Sequence, residues 1–304
     1  FTLFISPVAE VVSNRGVSQH QYADDTQLYV AVTLSNVRAA LDVLEECSTA
    51  VQSWFTKNGL GLNPDKSEVI KLGTSFQLNS LADVTSVNIA GTSITPKDHI
   101  KSLGVTLDKR LSFDEHVNNI CRTAFYHIRG FRHIRKVLNQ EVAKTIACSI
   151  VGSRLDYCNA CFYGMTEKNI SKLQRVQNSL ARVVTGVRKY EHITPTLADL
   201  HWLPVSQRIN YKVATLIFKI KHSGEPKYLA SMIRPYVQTR TLRSSSKNLL
   251  DAPKPPRTVI GERSFSSVAP TVWNNLPENI KSQNNLQTFQ SQLKTHLYNI
   301  AYNR

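Results

Sequence analysis

Gln21-Tyr22-Ala23-Asp24-Asp25-Thr26-Gln27-Leu28-Tyr29-Val30 sets two adjacent carboxylates between two β-prone runs, Val17 to Tyr22 and Thr26 to Val32. The two β-prone runs predict a hairpin with Asp24 and Asp25 at its tip. Neighbouring aspartates repel each other, so a rigid turn that holds both ionised needs strong donors or a divalent cation. Two hard carboxylate oxygens suit Mg2+, or Mn2+ in its place. An acidic turn also arises for local hydrogen-bonding reasons alone, so the rest of the chain has to decide between the two readings.

The charge balance is uneven. The 304 residues carry a formal net charge of +15, but residues 1–108 hold 7 Lys/Arg against 11 Asp/Glu, and residues 109–304 hold 30 against 11. An acidic first third and a basic remainder suggest a metal-binding portion joined to a polyanion-binding portion. Hydrophobic residues at 41% and charged residues at 19% are ordinary globular values and exclude a disordered chain. Five cysteines without a regular framework point to reduced thiols in an intracellular protein. A zinc site at Cys158 and Cys161 would need two more ligands at matching spacing; only scattered residues such as Cys148 and His201 offer themselves, so buried free thiols on a helix are expected instead. No apolar run is long enough for a transmembrane helix, and no membrane partner is expected.

Tyr22-Ala23-Asp24-Asp25 resembles the Tyr-x-Asp-Asp box of reverse transcriptases, and its flanks, His20-Gln21 and Gln27-Leu28-Tyr29, resemble the versions in non-LTR (LINE-type) retrotransposons. Three further stretches follow in the family's order: Leu62-Asn63-Pro64-Asp65-Lys66, Ile100-Lys101-Ser102-Leu103-Gly104-Val105 and His201-Trp202-Leu203-Pro204. Order is more specific than any one motif. The resemblance implies RNA-directed DNA synthesis from a DNA primer on an RNA template, with deoxynucleotide triphosphates as substrate and two Mg2+ ions as cofactors. It implies Asp24 and Asp25 as metal ligands and catalytic carboxylates, with Tyr22 and Ala23 near the primer end. Lys66 would protonate the pyrophosphate leaving group, and Gly104 would let the backbone approach the primer closely. A ribonucleoprotein in nucleus or cytoplasm is the implied location. Phe1 to Pro7 resembles the segment just ahead of the acidic box, so the chain is expected to begin after the family's other metal-binding aspartate and its fingers, and to be inactive by itself. A noncatalytic nucleic-acid-binding remnant and a helical protein with an acidic protein partner are the alternative readings.

The expected fold is α+β: a partial palm over 1–108, a basic helical thumb-like region over 109–235, a basic Pro/Ser-rich linker over 236–262 and a helical segment over 263–304. Phe1 to Val12 is expected to be helical. Ser35 is expected to cap a helix closed by Gly59, and Val69 to Leu72 to form a strand. Ser112 and Glu115 have capping-box spacing ahead of a helix whose apolar face holds Val117, Ile120, Cys121, Ala124, Ile128 and Phe131. Arg122, Arg129, Arg132 and Lys136 form a stripe roughly 115° round from that face at about 100° per residue. No Asp or Glu occurs from Val117 to Lys136, which favours a phosphate backbone as the partner of the stripe. Asn139 should cap a helix running towards Tyr163. Ser206 should cap the one that follows Trp202.

Overall fold

The structure, a computed structural model, describes residues 1–237, 248–254 and 256–303. The chain divides into two units, Phe1–Leu111 and Ser112–Arg304. Short antiparallel hairpins belong to the first and helices dominate the second, so the class is α+β.

In the first unit the apolar opening is split at Ser6-Pro7 into Thr2–Ile5 and α1 (Val8–Ser13). Proline lacks the N–H that would continue the first helix but starts the second without penalty. β1 (Ser18–Tyr22) and β2 (Asp25–Tyr29) pair antiparallel with Tyr22 opposite Asp25. Their alternation turns Gln19, Gln21, Thr26 and Leu28 inward and leaves Tyr22, Asp25 and Tyr29 exposed. Leu28 packs on a cluster of Val8, Val12, Val17, Cys47 and Val51, the last two from α2 (Val37–Lys57). Full burial of side chains such as Val8 and Val12 contributes ~1.5–3 kcal/mol each, which anchors the hairpin base and leaves its tip in solvent.

The ends of α2 differ from each other. Ser35 does not cap it: Asn36 is the N-cap, and its Oδ1 accepts from the Thr33 N–H, outside the helix, at 2.6 Å. At the other end Gly59, at φ +72°, donates to the Thr56 carbonyl while the Leu60 N–H reaches the Phe55 carbonyl at 2.8 Å. That pair of bonds is a Schellman closure, and its left-handed residue favours glycine.

Two further hairpins, β3 (Val87–Ile89) with β4 (Thr92–Ile94) and β5 (His99–Ser102) with β6 (Val105–Asp108), turn at Ala90-Gly91 and Leu103-Gly104. All four turn residues have positive φ, as the right-handed twist of the strands requires of a two-residue connection. The three hairpins are separate two-stranded sheets. Val69 to Leu72 is not a strand, and Ile70 makes one bridge to Lys97. Side chains hold this stretch instead: Lys71 Nζ donates to the Leu81 and Val84 carbonyls at 2.9 and 3.1 Å, and Glu68 pairs with Lys97 at 2.7 Å.

In the second unit α3 (Asp114–Ile134) packs along α5 (Glu167–Thr185). Val117, Ala124 and Ile128 on one helix and Leu173, Val176 and Leu180 on the other are buried. The expected capping box does not form. Phe113 is the N-cap, in the left-handed region at φ +61°, because its ring turns inward to meet Phe162 edge-on at 5.6 Å. Asn139 does cap α4 (Gln140–Ala147), accepting from the Val142 N–H at 2.9 Å. The chain then widens into a π-turn over Cys148–Gly152, so no single helix reaches Tyr163.

α6 (Ile193–Asp199), α7 (Val205–Ser223), α8 (Phe265–Asn274) and α9 (Leu286–Tyr302) complete this unit. Phe218 of α7 stacks on Phe289 of α9 at 4.2 Å, and Trp273 of α8 lies 6.0 Å from the same ring. Between α6 and α7 the His201-Trp202-Leu203-Pro204 stretch is clamped: Tyr302 Oη donates to the Trp202 carbonyl at 2.5 Å and Gln177 Nε2 to the Leu203 carbonyl at 2.8 Å. Ser206 does not cap α7, which starts one residue earlier behind Pro204; the first free amide, that of Val205, finds Gln174 Oε1 at 2.9 Å. The linker expected over 236–262 falls partly on 238–247 and 255, outside the described residues. Among the described residues no helix is long and apolar enough to cross a membrane.

Candidate functional site

The acidic tip is built by a two-residue connection. Ala23 adopts φ +52°, a left-handed conformation that costs an alanine ~1–2 kcal/mol and that turns the chain between Tyr22 and Asp25. Asp24 lies in the turn and Asp25 opens β2, both exposed. Their side chains make no hydrogen bond or ion pair among the described residues, so four carboxylate oxygens face solvent. Lower on the outward face, Tyr29 and His20 stack with ring centroids 5.4 Å apart. On the inner face Gln21 Nε2 donates to Thr26 Oγ1 at 3.3 Å, and from the exposed face Gln27 Nε2 donates to Ser102 Oγ of β5.

Lys66 ends a 3-10 turn, Pro64–Lys66, whose first amide is held by Asn63 Oδ1 at 3.0 Å. Its side chain is exposed, and no hydrogen bond or ion pair joins it to Asp24 or Asp25. Gly104 occupies the β5–β6 turn at φ +79° beside Leu103, whose side chain is exposed. Two open hollows of this unit lie along α2, lined by residues such as Arg15, Glu45 and Trp54, with none of these candidates on their walls. Among the described residues no group of three His, Cys, Asp or Glu side chains is placed to hold a metal ion.

In the second unit Arg122, Arg129 and Arg132 lie exposed on α3. Lys136 is exposed too, but it falls in a 3-10 turn beyond the helix end, out of the helical register. Arg135 causes this tightening: its guanidinium donates to the Val184 and Leu138 carbonyls at 2.6–2.9 Å, so this cation is a staple and not part of the stripe. α5 extends the basic surface. Lys172 Nζ reaches Asn118 Oδ1 of α3 at 2.7 Å, and although burial pushes the Cys121 thiol up, the charges of Lys172 and Arg175 pull it back. Sequence reading missed two neighbours of the arginines, Phe125 at 38% and Tyr126 at 68% exposure. Their position, on the turn between Arg122 and Arg129 along the axis and to either side of those two arginines at about 100° per residue, was the available signal.

Cys158 precedes and Cys161 lies within a short 3-10 turn, Asn159–Phe162, and not on an α-helix; neither is fully buried, and both are free thiols.

No family model and no solved structure matches the chain. Among curated proteins it is similar to the probable RNA-directed DNA polymerase from transposon BS of Drosophila melanogaster, 26% identical over 200 residues. It is also similar to the RNA-directed DNA polymerases from the mobile element jockey of Drosophila melanogaster and Drosophila funebris, 28% and 24% identical. These alignments take in 62–64% of this chain and 20–21% of the relatives, so the chain spans about a fifth of their length. The likeness is thus to RNA-directed DNA polymerases of Drosophila non-LTR elements.

Proposed function

We propose that this chain supplies the acidic hairpin and the primer-template-binding helical region of an RNA-directed DNA polymerase, with 1–108 as partial palm and 109–235 as thumb-like. The observation that carries the reading is the tip itself: Asp24 in the two-residue turn and Asp25 at the start of β2, above a packed base, present carboxylates that no side chain engages among the described residues. Such oxygens fit Mg2+, which takes one or two protein carboxylates and completes its shell with water and substrate phosphates. When bound, the ion would activate the primer hydroxyl and neutralise charge on the leaving pyrophosphate.

The residues of the chain then have separable roles. Asp24 and Asp25 hold the ion from the hairpin tip. Tyr22, across the ladder from Asp25, presents an exposed ring beside the primer end. Lys66 carries a proton and a positive charge toward the departing phosphate. The exposed cations of α3 and α5 grip the phosphate backbone of the RNA–DNA duplex without reading bases. A tip that offers carboxylates from one side binds an ion weakly, so the chain by itself is expected not to extend a primer.

The test is primer extension on a homopolymer RNA template by the Drosophila melanogaster jockey polymerase with this chain replacing its matching stretch. RNA-templated incorporation that Asp24→Ala abolishes supports the proposal. Incorporation indifferent to Asp24→Ala refutes it.

A further inference from the structure

We propose that the outward face of α3 is a stacking platform for unpaired nucleotides, with Phe125 and Tyr126 as the stacking rings. The inference rests on the reading of the α3 cations as phosphate contacts and adds an unpaired strand to the duplex that they can grip. Placed at about 100° per residue, Arg122, Phe125, Tyr126, Arg129 and His133 all fall within about 60° of one line along the helix. Val117, Ala124 and Ile128, each at most 1% exposed, fill the opposite side. The fold leaves Tyr126 at 68% and Phe125 at 38% exposure, on the same turns as the guanidinium groups.

The spacing fits one kind of partner. At 1.5 Å per residue, Arg122 and Arg129 stand ~10 Å apart along the axis with both rings on the turn between them. Cation, ring, cation is the order that a single strand satisfies, its phosphates meeting the arginines while a base lies on the ring between. Tyr126 is already steadied by His127, whose ring meets it in a T-shape at 5.4 Å, so little side-chain freedom remains to be lost on stacking. A blunt duplex keeps its base faces inside its own stack and can use only the cations. An acidic protein would likewise use the cations and leave the rings unemployed. With no Asp or Glu from Val117 to Lys136, the face repels no polyanion.

The test uses the full chain, a labelled oligouridylate and a blunt RNA–DNA duplex, over a range of salt. Phe125→Ala/Tyr126→Ala is expected to weaken oligouridylate binding by about 5- to 100-fold, with an unchanged salt slope because no cation is removed. Duplex affinity should hold. Tyr126→Phe, which keeps the ring, should retain oligouridylate affinity, and a 2-aminopurine placed in the strand should be quenched by it and by the parent chain but not by the double variant. If the double variant binds oligouridylate like the parent while removal of the arginines weakens it, the platform is refuted and the phosphate reading survives. Equal losses on duplex and single strand would make the rings part of the fold and overturn the platform. Binding to polyglutamate but to neither nucleic acid would overturn both readings.

Discussion

Replacing Arg122, Arg129, Arg132 and Lys136 together by glutamine should change how binding of the RNA–DNA duplex responds to salt more than it changes the fold. All four side chains are exposed, and among the described residues none is paired with a carboxylate. If each neutralises one phosphate, the variant loses four counterion-release contacts, and the slope of log affinity against log salt should flatten by about 3.6 at ~0.9 per contact. Between about 50 and 200 mM salt the parent chain would then lose ~150-fold more affinity than the variant over the same interval. Fluorescence anisotropy with several duplex sequences measures both the slope and its independence of sequence. Arg135→Gln is the control, because that guanidinium is spent on the Val184 and Leu138 carbonyls; it should lower stability and leave the slope alone. An unchanged slope in the quadruple variant, or an equal flattening by Arg135→Gln, would refute the assignment of this face to phosphate.

Phe289→Ala empties a fully buried site between Phe218 and Trp273 and should cost ~3–5 kcal/mol in urea unfolding; a loss below that of an exposed substitution would contradict the packing. Gly59→Ala meets no atom within 4 Å, so its cost is that of the left-handed backbone alone, a net ~1 kcal/mol, and a stabilised variant would argue against the Schellman closure. Burial beside Phe113 and Phe162 holds the His116 imidazole below its ordinary 6.5, and His296 is shifted the same way. The neutral form is favoured in the folded state, so the contribution of His116 is intact above its unfolded pKa and declines as pH falls through that value towards the lower folded one. Urea stability should therefore drop between about pH 7.5 and 5.5, and less so in His116→Gln; an identical drop in that variant would remove His116 as a cause.

What could be read in advance was local. The hairpin follows from β-prone runs on both sides of an acidic turn, although the turn residues are Ala23 and Asp24 and Asp25 already opens β2, and the end at Gly59 follows from the one residue type that takes a left-handed closure cheaply. The arginine stripe follows from helical periodicity. Phe125 and Tyr126 escaped because only charged residues are sought off the apolar face, although the same periodicity puts Tyr126 opposite that face and Phe125 beside it. Caps failed where a distant partner outbid the local one: Phe113 is drawn in by Phe162, and the Val205 amide by Gln174. Val69 to Leu72 lost its strand to Lys71 and Glu68, whose partners lie in loops that no local pattern announces. Nor could spacing show that the His-Trp-Leu-Pro carbonyls are held by Gln177 and Tyr302, since the second of these lies 100 residues downstream.

That clamp and the Phe218–Phe289 stack bear on how the protein is made. α7 acquires its partner ring and the Trp202 carbonyl acquires its donor only from α9. On the ribosome, α3, α5 and α7 emerge well before α9, and at ~5–20 residues per second they wait for several seconds with the apolar side of α7 uncovered. The helical unit therefore closes late, after a non-local contact of high loop-closure cost. During that wait the growing chain is a substrate for chaperones, and ribosomes stalled between α7 and α9 should display it in protease-sensitive form.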